Sequence, residues 1–133
     1  MERLKPRLAI AKQTHATLTE ALRTENPTAL ERDGAIQRFE YTFEVCWKLC
    51  QLYLRDVEGI DCASPKGCLR SMGEVGLLTP EETKKVLMMA DDRNRTVHIY
   101  QERIAKEIYD RLTDYSRIMR KILDRIEERT SMA

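Results

Sequence analysis

The stretch IAKEIYDRLTDYSRIMRKILDRI, residues 104–126, sets Ile104, Ile108, Leu112, Tyr115, Met119, Ile122 and Ile126 three or four positions apart. That spacing lines one face of a long α-helix with apolar side chains and leaves the other face to lysine, arginine, aspartate and glutamate. A helix of this kind draws most of its stability from packing, so it needs partners with matching stripes. Working back toward the N-terminus supplies them. Thr79-Pro80-Glu81-Glu82 combines a cap, a proline at the first helical position and a capping-box acid, and opens a fourth helix carrying Val86, Leu87, Met89 and Ala90. Ser64-Pro65 starts a short third helix with Leu69 and Met72 facing inward, ended by Gly73 and Gly76.

Further upstream, Thr28 and Glu31 form a second capping-box signature. The helix it opens carries Ile36, Phe39, Phe43, Cys46 or Trp47, Cys50, Tyr53 or Leu54, and Val57, and Gly59 stops it. Both phenylalanines and the single tryptophan lie there, which marks it as the central core helix. The first segment shows Leu4, Leu8, Ala11, His15, Leu18 and Leu22, and breaks at Thr24-Glu25-Asn26-Pro27. His15 falls on its stripe, where a packed histidine with a satisfied ring is expected rather than a ligand. Nothing alternates as a strand does, nothing repeats, and no linker divides the chain. The expected fold is all-α: an antiparallel up-and-down helical bundle of four long helices plus one short helix, in one domain over residues 1–133.

Composition narrows the function. Charged residues make up 34% and hydrophobic ones 42%, which excludes a disordered chain. No apolar run approaches the roughly 20 residues of a membrane-spanning helix. Met1-Glu2-Arg3-Leu4-Lys5-Pro6 lacks the apolar stretch of a signal peptide, so a cytoplasmic location is expected. A net charge of +1 gives no long-range pull on nucleic acid or anionic lipid, and RNA binding must rest on local patches. Arg117, Lys121 and Arg125 recur every four residues along one helix side. They read either as a solvated face or as a stripe that tracks phosphates. Of the four cysteines, Cys46 and Cys50 are one helical turn apart, while Cys62 and Cys68 follow later. With two histidines and no CxxC pair a closed zinc site lacks support, and in a reducing compartment these cysteines are expected as small buried hydrophobes. No cofactor is expected.

Arg93 to Tyr100 departs from an ordinary bundle helix. Arg93, Asn94, Arg95, His98 and Tyr100 crowd into eight residues at the end of an apolar helix. Taken singly, Arg93 reads as a surface ion pair with Asp91 or Asp92, His98 as a helix-end histidine facing the dipole, and Tyr100 as a half-buried aromatic. Together they suit phosphodiester cleavage, with a histidine moving a proton while an arginine fork stabilises charge on the phosphorus oxygens. On a regular helix Arg93 and His98 point roughly 140° apart, whereas Asn94 and His98 share a face. The first two converge only if the helix distorts or a second chain completes the site. A twofold dimer would also supply a second histidine, giving both a base and an acid. Gln101-Glu102-Arg103 makes a poor cap for the next helix, so the sequence leaves the posture of His98 open.

Arg93-Asn94-Arg95-Thr96-Val97-His98-Ile99-Tyr100 resembles the signature of the HEPN superfamily, and its tyrosine extension resembles the HepT toxins of MNT/HEPN toxin–antitoxin modules. Arg32 to Glu44, with Trp47-Lys48 following, is similar to the second helix of the family also known as nucleotidyltransferase substrate-binding proteins, and Ser64-Pro65 and Asp91-Asp92 fit that pattern. The resemblance spans about residues 1–128. It implies a homodimeric bundle with a composite cleft, acting as a metal-independent ribonuclease on RNA such as tRNA. Arg93 would hold the phosphate, His98 would be general acid or base, and Asn94 their polar companion; Arg95 would add to RNA binding. Tyr100 holds the position at which an MNT-type nucleotidyltransferase antitoxin attaches adenylyl groups and silences the toxin. Two other classes stay open: a non-catalytic subunit presenting substrate to that nucleotidyltransferase, and a purely structural bundle. The complete Arg–Asn–His–Tyr set favours the ribonuclease, and the small net charge favours the binding subunit.

Overall fold

A computed structural model describes residues 2–131. The chain forms α1 (Leu4–Ala21), α2 (Ala29–Tyr53), α3 (Pro65–Glu74), α4 (Pro80–Arg95) and α5 (Glu102–Ser131), with no strand among the described residues. This is the antiparallel bundle of four long helices and one short one that the apolar stripes predict. Three helices start where the chain supplies acceptors for their first free N–H groups. Thr28 and Glu31 exchange side-chain and backbone bonds at the head of α2, and Thr79 and Glu82 repeat the exchange at the head of α4. Ser64 Oγ accepts the Gly67 N–H to open α3. After Tyr53, α2 relaxes into a wide π-type turn, Leu54–Glu58, and Gly59 in the left-handed conformation ends it.

The core centres on α2 and α5. Ile36, Phe39, Phe43, Leu49, Cys50 and Tyr53 from α2 are buried, as is every stripe residue of α5 from Ile104 to Ile126. Phe39 joins the two helices by stacking on Tyr115, with ring centroids 5.6 Å apart. His15 is buried, and its Nε2 lies 2.8 Å from the Ser116 carbonyl, tying α1 to α5 as a satisfied packed histidine. Cys46 takes the inward position, while Trp47 is only partly buried and donates its indole N–H to Glu44.

Two expectations change. Gly73 lies inside α3 rather than ending it, and a Cβ there would sit 2.5 Å from Thr83 Oγ1, so the glycine serves the close approach of α3 to α4. The left-handed turn falls at Gly76. The cysteines are not four independent thiols either: Cys62 and Cys68 form a disulfide, with Cα atoms 5.3 Å apart. The short loop between them brings the two backbones within bridging range. Cys46 and Cys50 remain free and buried, and their contact together with burial pushes the Cys50 thiol well up. No helix among the described residues is long and apolar enough to cross a membrane.

Candidate functional site

The segment from Arg93 onward leaves the regular helix. α4 ends at Arg95, a 3-10 turn covers Thr96–His98, and α5 begins at Glu102. A clamp marks the transition: Arg93 Nη1 donates to Thr96 Oγ1 at 3.1 Å, and that hydroxyl donates to the Arg93 carbonyl at 2.7 Å. The start of α5 needs no capping side chain of its own. The Gln101 carbonyl accepts the Ile104 and Ala105 N–H groups, and Glu102 is held by both ends of the Arg32 guanidinium from the head of α2. That contact lowers the Glu102 carboxyl from its ordinary range, the Arg32 hydrogen bonds being the main cause.

Arg93 is turned toward α2, not toward its acidic neighbours in sequence. Its Nη1 lies 3.5 Å from Glu40 and its Nε 3.3 Å from Glu44. The Nε approach is an ion pair without hydrogen-bond alignment, and that atom is buried. Asp91 pairs instead with Lys66, and Asp92 with arginines 95 and 111. The expected Arg93–Asp91 or Arg93–Asp92 pair is thus replaced by contacts across the bundle. Arg93 and Asn94 line one side of a cleft of about 300 Å³, faced by Glu44 and by Ser64, Pro65 and Lys66 at the head of α3.

Asp92 is 2% exposed and forms the centre of a network behind the motif. Arg111 reaches both its oxygens at 3.1 and 2.9 Å, Tyr115 donates to it at 2.6 Å, and Arg95 at 3.0 Å. Arg95 also bonds Glu107, so its guanidinium is spent on structure. The contacts raise Arg95, chiefly through Glu107, and Arg111, chiefly through Asp92. Burial first, and the Asp92 carboxylate second, push the Tyr115 phenol well up.

His98 and Tyr100 come together on the exposed side of the turn. The Tyr100 hydroxyl is 3.5 Å from His98 Nδ1, the rings meet edge to face at 6.0 Å, and Tyr100 is 77% exposed. No hydrogen bond or ion pair joins Arg93 to His98 among the described residues. The turn does distort the helix, yet within one chain no contact joins the Arg93 guanidinium to the His98 imidazole. Of the basic stripe, Arg125 is engaged by Glu82 through two bonds and by the Leu77 carbonyl, Lys121 lies 3.8 Å from Glu82, and Arg117 is exposed. No cluster of three or more histidine, cysteine, aspartate or glutamate side chains among the described residues is placed to hold a metal ion.

The model of the family described as nucleotidyltransferase substrate binding protein like matches residues 6–128. Among solved structures, a Thermus thermophilus protein is 52% identical, with 87% of this chain and 98% of that one covered at a TM-score of 0.85. A toxin–antitoxin structure with AMP-PNP shares the fold at 14% identity, covering 92% of this chain and 96% of its own, TM-score 0.69. A Haemophilus influenzae protein, described as revealing the fold of a substrate binding domain of a nucleotidyltransferase, does so at 22% identity, covering 95% and 98%, TM-score 0.65. No curated protein sequence matches the chain.

Proposed function

This chain belongs to the nucleotidyltransferase substrate binding protein like family, and we propose that it is the ribonuclease toxin of a two-protein pair, silenced when a partner nucleotidyltransferase adenylylates Tyr100. The observation that carries this reading is the exposed His98–Tyr100 pair, 3.5 Å from ring nitrogen to hydroxyl, where the 3-10 turn leaves the regular helix between α4 and α5. A bundle needs neither side chain there for its core, and the two chemistries the reading requires sit side by side.

In cleavage, the ribose 2′-oxygen attacks phosphorus while an imidazole of His98 takes its proton. The 5′-oxygen leaves with a proton from a second His98, contributed by a second copy of the chain, and a cyclic phosphate remains. Arg93 and Asn94 hold the phosphorus oxygens, Arg93 exchanging its glutamate contacts for bidentate ones to phosphate. Adenylylation reverses the use of the site. The Tyr100 oxygen attacks the α-phosphorus of ATP held by the partner, pyrophosphate leaves, and the tyrosine keeps a negatively charged phosphodiester beside His98. That group occupies the place of the RNA phosphate and repels it.

The alternative, a non-catalytic subunit presenting substrate to the nucleotidyltransferase, draws on one observation: Arg93 is committed to Glu40 and Glu44. Incubating total tRNA with the purified protein in EDTA separates the two. Cleavage by wild type and not by a folded His98→Ala variant is expected. No cleavage by either, with Tyr100 unmodified, would favour the binding subunit. With partner and ATP, adenylate mass should appear on wild type and not on Tyr100→Phe; equal modification of both would remove Tyr100 from the reading.

A further inference from the structure

The head of α3 faces the candidate site, and the proposed reaction has so far used none of it. Lys66 is the one cation besides Arg93 among the residues lining the cleft. Its ammonium group lies 2.5 Å from Asp91, on the same end of α4 as Arg93 and two positions before it. Both partners are substantially exposed, at 39% and 58%, so the pair contributes little to the fold and yields readily to a competing anion. The backbone beneath Lys66 is held in several ways. The Cys62–Cys68 disulfide closes the loop around it, Gln51 donates to the Cys62 carbonyl at 2.8 Å, and Ser64 caps the turn through the Gly67 N–H at 3.0 Å. Lys66 both lines the cleft and pairs with Asp91.

We propose that Lys66 is a second phosphate-binding residue of the RNA site, held by Asp91 at rest and transferred to a backbone phosphate when single-stranded RNA enters between α3 and α4. The two cations then take neighbouring phosphates, Arg93 as a planar fork at the scissile one and Lys66 as a point charge at the next. Pro65 and Ala90 give the intervening nucleotide an apolar wall. This proposal rests on the RNA-cleaving reading of the site, and the test separates the failure of one from that of the other.

The test measures fluorescence anisotropy of a labelled 12-nucleotide single-stranded RNA with full-length protein carrying His98→Ala, so that the probe is not cut, across a series of salt concentrations. In that background Lys66→Ala should weaken binding about five-fold and reduce the slope of log affinity against log salt by about 0.7, the value for one single-strand phosphate contact. Lys66→Arg should restore most of the affinity. Asp91→Asn should tighten binding about three-fold, because it frees the lysine. If the ion pair only holds the fold, removing either partner will act in the same direction, so weakening by Asp91→Asn would overturn the proposal. An unchanged affinity and slope in Lys66→Ala, with binding still lost in Arg93→Ala, would overturn it and leave the RNA reading standing. No binding by the His98→Ala parent or by wild type would bring down both.

Discussion

Asp92→Asn is expected to destabilise the protein by roughly 2–4 kcal/mol, although the side chain keeps its size and one acceptor oxygen. The carboxylate is buried and receives donors from Arg95, Arg111 and Tyr115. Removing one member of a buried ion pair costs about 3–5 kcal/mol, because the remaining charges lose their compensation. Here the two guanidinium groups are 34% and 40% exposed, so water recovers part of that loss and the lower figure applies. Tyr115→Phe removes a single donor to the same carboxylate and leaves the Phe39 stacking in place, so it should cost about 1–2 kcal/mol. Urea denaturation at neutral pH measures both, and the double variant should fall short of the sum by about 1 kcal/mol because the two share a bond. A second signature lies at high pH. The Tyr115 phenol is raised by burial and by Asp92, so its contribution is present below the ordinary phenol pKa of about 10 and is lost as pH rises through the higher folded value. Tyr115→Phe should therefore lack that part of the alkaline loss. If Asp92→Asn costs less than Tyr115→Phe, the network is not what fastens the end of α4 to α5.

Glu82 is held at about 2, first by Arg125 and then, against burial, by its capping contacts with Thr79. Its folded pKa lies below the ordinary value of 4.5, so the stabilisation is present above that value and is lost as pH falls from about 4.5 toward 2. The shift corresponds to about 3 kcal/mol at most, and screening at the partly exposed Arg125 reduces it to roughly 1–2 kcal/mol. Glu82→Gln should lose that amount at pH 7 and show a shallower acid limb; an unchanged acid limb would contradict the assignment. For the cysteines, protein unfolded in urea without reductant should titrate two thiols, Cys46 and Cys50, and four after reduction. Reduction should lower stability by about 2 kcal/mol, the scale for so short a loop, and four thiols at the outset would refute the pairing.

What was legible in the sequence is what depends on neighbours three or four residues away. The α5 stripe, both capping boxes, the Ser64-Pro65 start and the packed role of His15 all follow from local spacing, and the structure reproduces them. Arg93 shows the limit of that reading. Nearby acids suggested Asp91 or Asp92, whereas its partners are Glu40 and Glu44, brought in by the packing of α2 on α4. The start of α5 looked uncapped because its anchor, Arg32, lies 70 residues upstream. Asp92 could have been found: it follows Met89 by three and so falls toward the buried side of α4, where a carboxylate requires partners. Nothing in the sequence would have matched it to Arg111 and Tyr115 rather than to other candidates. The Cys62–Cys68 link depends on how close two backbones lie, which the spacing of the cysteines along the chain does not state.

The electrostatics of the motif bear on how such a site would be completed. At rest its cations are matched by carboxylates: Arg93 by Glu40 and Glu44, Arg95 by Asp92 and Glu107, Lys66 by Asp91. A surface so balanced gives little steering to free RNA, in keeping with a net charge of +1. It also lets two copies of the same segment face each other across a twofold axis without the like-charge repulsion that a strongly basic active site would impose. Val97, 67% exposed, and Tyr100 offer apolar surface beside His98 for that contact. On the proposed reading, pairing two copies supplies the second imidazole and carries each His98 toward an Arg93 it does not meet within its own chain. On that reading phosphate would displace the carboxylates where two chains meet, and cleavage would belong to the assembled pair. An adenylyl group on Tyr100 would act at the same place, adding bulk and negative charge to the surface through which the pair forms and the RNA enters.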